Sequence, residues 1–200
     1  MASSRALHRL ESVAAACVVA ATLRFAPNLW VPVALLWPLS LTLLRRERLA
    51  SLAGPLEPLR ALRHAGLVLA CTLPIWGLGA VLALRFQVAS VYPFVLEPND
   101  GLRLLALSLV EEFFFRGYLQ PLLERDTTRR WNVLGVQVGP GWVFTAIAFG
   151  LAHLQDGPLA AASRVIPGLV FGHCRAATGS IWAGWLVHLG YNLAGSTLSF

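Results

Sequence analysis

Lysine is missing from this sequence. All 16 basic residues are arginine, and they stand against only 10 acidic ones for a net charge of +6. Charge of either sign is scarce, at 13% of 200 residues, where a soluble domain carries about 25%. So few charges cannot cover a water-facing shell. Long polar tracts are absent too, which excludes a disordered chain. The three cysteines, Cys17, Cys71 and Cys174, are far apart and form no CxxC pair. They read as small buried hydrophobes rather than as a thiol metal site. Neither period-two alternation nor barrel-length segments recur, so strands are not expected. The arginines fall in short clusters between apolar runs rather than in one basic patch, which excludes nucleic acid as the partner.

What is present is apolar. Hydrophobic residues make up 56% of the chain, and the mean hydropathy is +0.64. This composition predicts an all-α, polytopic transmembrane bundle forming one integral membrane domain over residues 1–200. A bilayer core of about 30 Å takes about 20 residues of helix, with shorter runs tolerated. Seven runs qualify: 12–23, 29–44, 65–84, 102–123, 141–154, 159–174 and 180–198. The first two are short enough to form a re-entrant hairpin instead. The run from Val13, behind Arg5 and Arg9, has the look of a signal-peptide core. It lacks a small-x-small cleavage site and is read as a retained anchor.

Arginine placement orients these spans. With the N-terminus inside, Arg5, Arg9, Arg45, Arg46, Arg48, Arg60, Arg63, Arg125, Arg129, Arg130 and Arg175 fall on the cytoplasmic side, and only Arg24, Arg85 and Arg103 on the other. The positive-inside rule favours that arrangement. The arginine-only composition fits a GC-rich bacterium, and so a multi-pass protein of the bacterial inner membrane.

Ionisable groups inside a bilayer cost at least about 2.5–3.5 kcal/mol each, so they need a reason. The fourth run holds three within six positions, Glu111-Glu112-Phe113-Phe114-Phe115-Arg116. On an α-helix Glu112 and Arg116 lie about 40° apart, and Glu111 lies about 140° from Arg116. Arg116 therefore pairs with Glu112 and leaves Glu111 without a local partner, poised to exchange a proton. The plainer alternative is a structural charge cluster that holds helices together. His153 ends the fifth run, while His188 and Asn192 share a face of the seventh at i,i+4 spacing. Two histidines, an amide and a free carboxylate supply a base, a second proton carrier and donors for an oxyanion. That is a hydrolase inventory.

Three motifs carry a resemblance. Glu-Glu-x-x-x-Arg (Glu111, Glu112, Arg116), Phe-x-x-x-His (Phe149, His153) and His-x-x-x-Asn (His188, Asn192) occur in order on separate apolar runs. They resemble the motifs of the CPBP family, the CAAX-protease and bacteriocin-processing (Abi) intramembrane endopeptidases. Gly117 and the stretch from Gly172 to Ile181 support the likeness, which covers about residues 102–195 as a catalytic core. The resemblance implies a glutamate-dependent peptidase without a metal cofactor. Glu111 and His153 would activate water, His188 and Asn192 would stabilise the oxyanion, and Glu112 and Arg116 would support the site. Zinc is the alternative for two histidines and a glutamate, although no His-Glu-x-x-His helix is present.

The implied substrate is a membrane-associated peptide or protein tail: a prenylated CAAX tail, a bacteriocin leader or a C-terminal sorting tail. A non-catalytic peptide binder, as in bacteriocin immunity, and a proton-coupled transporter are the competing functions. No inverted repeat of the transporter kind is visible. Counting residues along the spans places Glu111 and His188 near mid-depth and His153 near the outer end, so the site is expected to open away from the cytoplasm.

Overall fold

A computed structural model describes residues 10–11, 13–15, 17–18, 21–22, 29–45, 50–86, 90–91, 98–125, 127–195 and 198–199. The protein is mostly helical. Helix α1 spans Trp30–Leu44 and α2 is a single turn, Ala50–Ala53. Helix α3 runs from Pro58 to Arg85, with proline at its first position, where a missing N–H costs nothing. Helix α4 covers Pro98–Glu112 and passes without a break into a π-helical segment, Phe113–Leu119, and then into α5, Gln120–Glu124. Helices α6 (Pro140–Ala152), α7 (Pro158–Thr178) and α8 (Trp182–Gly195) complete the bundle. Both α6 and α7 again begin on proline.

Apart from the single turn α2, which falls between runs, each of these helices coincides with an apolar run of the sequence, although α3 begins seven residues before its run. The first run, 12–23, lies only partly within the described residues. Among the described residues one stretch is by length and composition a candidate to cross a bilayer, the 29 residues Ser51–Gly79. Val31–Leu44 and Pro140–Ala152 are apolar but shorter. The helical part of the expectation is met, with one clearly apolar candidate span, whereas about seven full spans are not. Length is the reason: the 13 residues of α6 and the 14 of α8 reach only about 20 Å at 1.5 Å per residue.

Neighbouring helices of the second half run antiparallel. Down α8, Ile181 meets Gly117, Gly184 meets Glu112, and the Trp185 indole N–H reaches the Ser108 hydroxyl at 3.1 Å. Gly150 packs on Ala161 and Val165, Gly168 on Ala146 and Gly172 on Trp142, which zips α6 against α7 in opposite directions. The core is aromatic and sits where α4, α5, α6, α7 and α8 meet, around Phe114, Phe115, Phe149 and Phe171. Arg60 on α3 donates to the Ala177 carbonyl at 3.1 Å, which sets the start of α3 beside the end of α7.

Two features depart from expectation. Strands are present: β2 (Trp131–Val133) and β3 (Val136–Val138) form an antiparallel hairpin, and β1 (Ser90–Val91) pairs with β4 (Leu198–Ser199). They are two or three residues long, too short for alternation to show in the sequence. Among the cysteines only Cys174 is buried, whereas Cys17 and Cys71 are exposed on the helix surface. A uniformly apolar run does not reveal which face carries its small residues inward.

Candidate active site

The paired glutamates stand at the last two α-helical positions before the π segment. There the Gln120 N–H reaches back to the Phe115 carbonyl, a five-residue span that marks the wider turn. Such π turns are rare and concentrate at functional sites. This one is backed by α2. A Cβ on Gly117 would come within 2.6 Å of the Leu52 carbonyl oxygen, so only glycine lets the two backbones meet.

Glu112 is the enclosed member of the pair. It has no exposed surface, and neither has Arg116. Their ion pair closes at 3.1 Å, at the i,i+4 spacing expected from the sequence. The guanidinium is held further by the Gly168 carbonyl at 3.2 Å. It also lies 4.5 Å from the Phe149 ring and 5.1 Å from that of Phe171. One turn on, Gln120 donates to the Gly172 carbonyl at 3.2 Å. Arg116 and Gln120 thus rest on two successive turns of α7. A cation held by a carboxylate, one carbonyl and flanking rings is compensated in part for its lost water.

His188 comes from α8 into the space between the glutamates. Its Nδ1 is 3.0 Å from Glu112 Oε1, and its Nε2 is 3.6 Å from Glu111 Oε2. The ring stacks on Phe171 with centroids 4.5 Å apart and planes 15° from parallel. Phe149 meets it edge-on at 5.6 Å. Gly184, one turn earlier on α8, leaves room for the second oxygen of Glu112, which a Cβ would approach to 3.0 Å.

The glutamates differ in access. The Glu111 side chain keeps 17% of its surface exposed, against none for Glu112. Only Glu111 can meet water. It has no local partner on its own helix, and His188 faces it from across the bundle.

His153 caps the end of α6. Its Nδ1 is 2.8 Å from the Phe149 carbonyl, which can only accept, so Nδ1 carries a proton, and in the neutral ring Nε2 then keeps its lone pair. Its ring packs on Phe149 at 4.8 Å. One phenylalanine therefore touches both histidines and the arginine. No ion pair within 4.0 Å joins His153 to either glutamate among the described residues. Asn192 lies half-buried one turn beyond His188, and its side chain makes no hydrogen bond among the described residues. The structure thus gathers Glu111, Glu112, Arg116 and His188 into one contact network. His153 joins through Phe149, and Asn192 only through its place on α8.

Sequence reasoning missed Phe171, whose ring holds His188. Its place two positions before His173 in an apolar helix gives no signal. Zinc would need three donors around one point. Among the described residues no three His, Cys, Asp or Glu side chains are so placed.

Residues 101–194 match the family described as type II CAAX prenyl endopeptidase, Rce1-like. This is the CAAX-protease family that the three motifs resemble. No curated protein and no solved structure matches the chain.

Proposed function

From this Rce1-like segment as premise, we propose that the protein is an intramembrane endopeptidase that cleaves a membrane-associated peptide or protein tail. The observation that carries the reading is His188 between a water-accessible and a sealed carboxylate. With Nδ1 donating to Glu112, the neutral ring would aim a lone pair at Glu111. A proton on Nε2, facing Glu111, removes that conflict. It also balances the cluster, since two carboxylates then face one guanidinium and one added proton.

Glu111 is the base. It takes a proton from water as the oxygen attacks the scissile carbonyl, and later returns it to the leaving amine nitrogen. His153, with its free Nε2, orients that water from the other side. The tetrahedral oxyanion accepts hydrogen bonds from the protonated Nε2 of His188 and from the Asn192 amide. Glu112 holds Nδ1 of His188 and balances the charge on the ring, and Arg116 holds Glu112.

The matched family's description points to prenylated tails as the substrate class, and bacteriocin leaders and sorting tails share the same chemistry of an extended chain at a membrane. The test is hydrolysis of prenylated and unprenylated tail peptides by the full-length protein in liposomes, with and without a chelator. Glu111→Gln should abolish turnover and keep peptide binding. Turnover by that variant would overturn the reading. Binding without turnover by the unaltered protein would favour the non-catalytic peptide binder.

A further inference from the structure

The turn between β2 and β3 contains a residue that folding does not ask for. Val133 pairs with Val136, so the loop is two residues, Leu134 and Gly135. Both have positive φ, 51° and 81°. This is the primed hairpin turn, whose first position asparagine, aspartate or glycine normally fills. Leu134 occupies it with its side chain 91% exposed, the most exposed large apolar residue among those described. The backbone is strained by a Cβ there, and no packing compensates.

The tip is not slack. The Asn132 side-chain oxygen accepts the Gly135 N–H at 2.9 Å. His173 on α7 donates from Nε2 to the Val133 carbonyl at 3.1 Å and stacks on His64 of α3 with centroids 6.3 Å apart. The hairpin is thereby fixed to the end of the bundle where α5 stops, α6 starts and α7 stops. That end is arginine-rich: Arg60 and Arg63 at the start of α3, Arg129 and Arg130 before β2, and Arg175 near the end of α7. The Arg129 guanidinium lies 5.1 Å over the Trp131 ring, at the base of the hairpin.

An apolar tip, an indole behind it and a guanidinium stacked on that indole follow the polarity of a leaflet edge: acyl chain, headgroup level, phosphate. We infer that the β2–β3 hairpin is an anchor for the anionic lipid surface of the membrane that holds the bundle. Leu134 enters the acyl edge, Trp131 lies at headgroup level, and Arg129 meets lipid phosphate. The excess of arginine at that end selects an anionic leaflet. The anchor is independent of the peptidase reading, since none of its residues touches Glu111 or His188.

The experiment uses the full chain with its three native cysteines replaced and Leu134→Cys carrying an environment-sensitive fluorophore. It is reconstituted in vesicles of phosphatidylcholine alone or mixed with phosphatidylglycerol. In mixed vesicles the emission should shift to the blue and be quenched by nitroxide lipids but not by aqueous iodide. Arg129→Ala should weaken that shift. Iodide quenching in both vesicle types overturns the inference. So does shielding that appears only at high protein-to-lipid ratio (a second copy), or only on adding a tail peptide (substrate). A second variant, Leu134→Gly, relieves the strained φ. Its melting midpoint in detergent should equal or exceed that of the unaltered protein, while the rise in midpoint on adding phosphatidylglycerol shrinks. A fall in midpoint in detergent would make Leu134 a folding residue and end the proposal.

Discussion

Nδ1 of His188 lies 3.0 Å from the carboxylate of Glu112, a side chain with no surface in contact with solvent. The same carboxylate oxygen is 3.1 Å from the Arg116 guanidinium. One oxygen therefore serves both the buried ion pair and the ring that faces Glu111. On the proposed mechanism, the glutamate next in sequence to the base joins the site's frame to its chemistry.

Glu112→Gln separates the two glutamates. It leaves Arg116 buried without a counter-charge, which costs about 3–5 kcal/mol, and it weakens the hold on Nδ1 of His188. Expression and melting midpoint should fall together with activity. Glu111→Gln, which removes no buried ion pair, should melt near the unaltered protein. Equal stability of the two variants in a thermal melt would contradict this division.

Phe171→Leu removes the stacked face from His188 and keeps most of the volume. An aromatic pair contributes about 0.5–1.5 kcal/mol beyond area, so turnover should fall by up to roughly tenfold. KM should hold nearly constant, because the ring positions a donor for the transition state rather than for the bound peptide. The split between kcat and KM is the measurement.

Gly117→Ala sets a methyl group 2.6 Å from the Leu52 carbonyl oxygen. Either α2 or the π segment must shift, at about 1–3 kcal/mol. Gly66→Ala on α3 is the control, since nothing lies within 4 Å of its Cβ position, and helix propensity favours alanine by up to about 1 kcal/mol. Thermal melts of the two variants should move in opposite directions.

Gln155, in the exposed turn between α6 and α7, reports orientation. A cysteine there, on a background without Cys17, Cys71 and Cys174, should react with a membrane-impermeant reagent in intact cells. Reaction only after permeabilisation would reverse the orientation proposed from the arginine count.

Much of this arrangement could be read from the chain because it rests on short-range rules. The helices follow apolar runs, and Glu112 meets Arg116 because residues four apart on a helix face one another. What could not be read depends on how helices are brought together. His188 and Asn192 share a face, yet only an antiparallel α4–α8 packing sends His188 between two glutamates 76 and 77 positions away. The helical wheel assumed uniform α geometry, and the π segment begins one residue after Glu112. Phe171 and the β2–β3 hairpin left no periodic signal, one being a single ring in an apolar helix and the other three residues per strand.

The π segment has a consequence for chain length. Each residue of an α-helix turns the chain by about 100°, so the wider turn re-phases all that follows. Before it, Glu111 and Glu112 address α8; within and after it, Arg116 and Gln120 address α7. The stretch from Pro98 to Glu124 works as two rods clocked differently on one shaft. Losing a single residue between Phe113 and Leu119 would throw one rod out of phase with its partner helix, a fault that no side-chain exchange could repair. Spacing in this segment is therefore held more tightly than the identity of its phenylalanines.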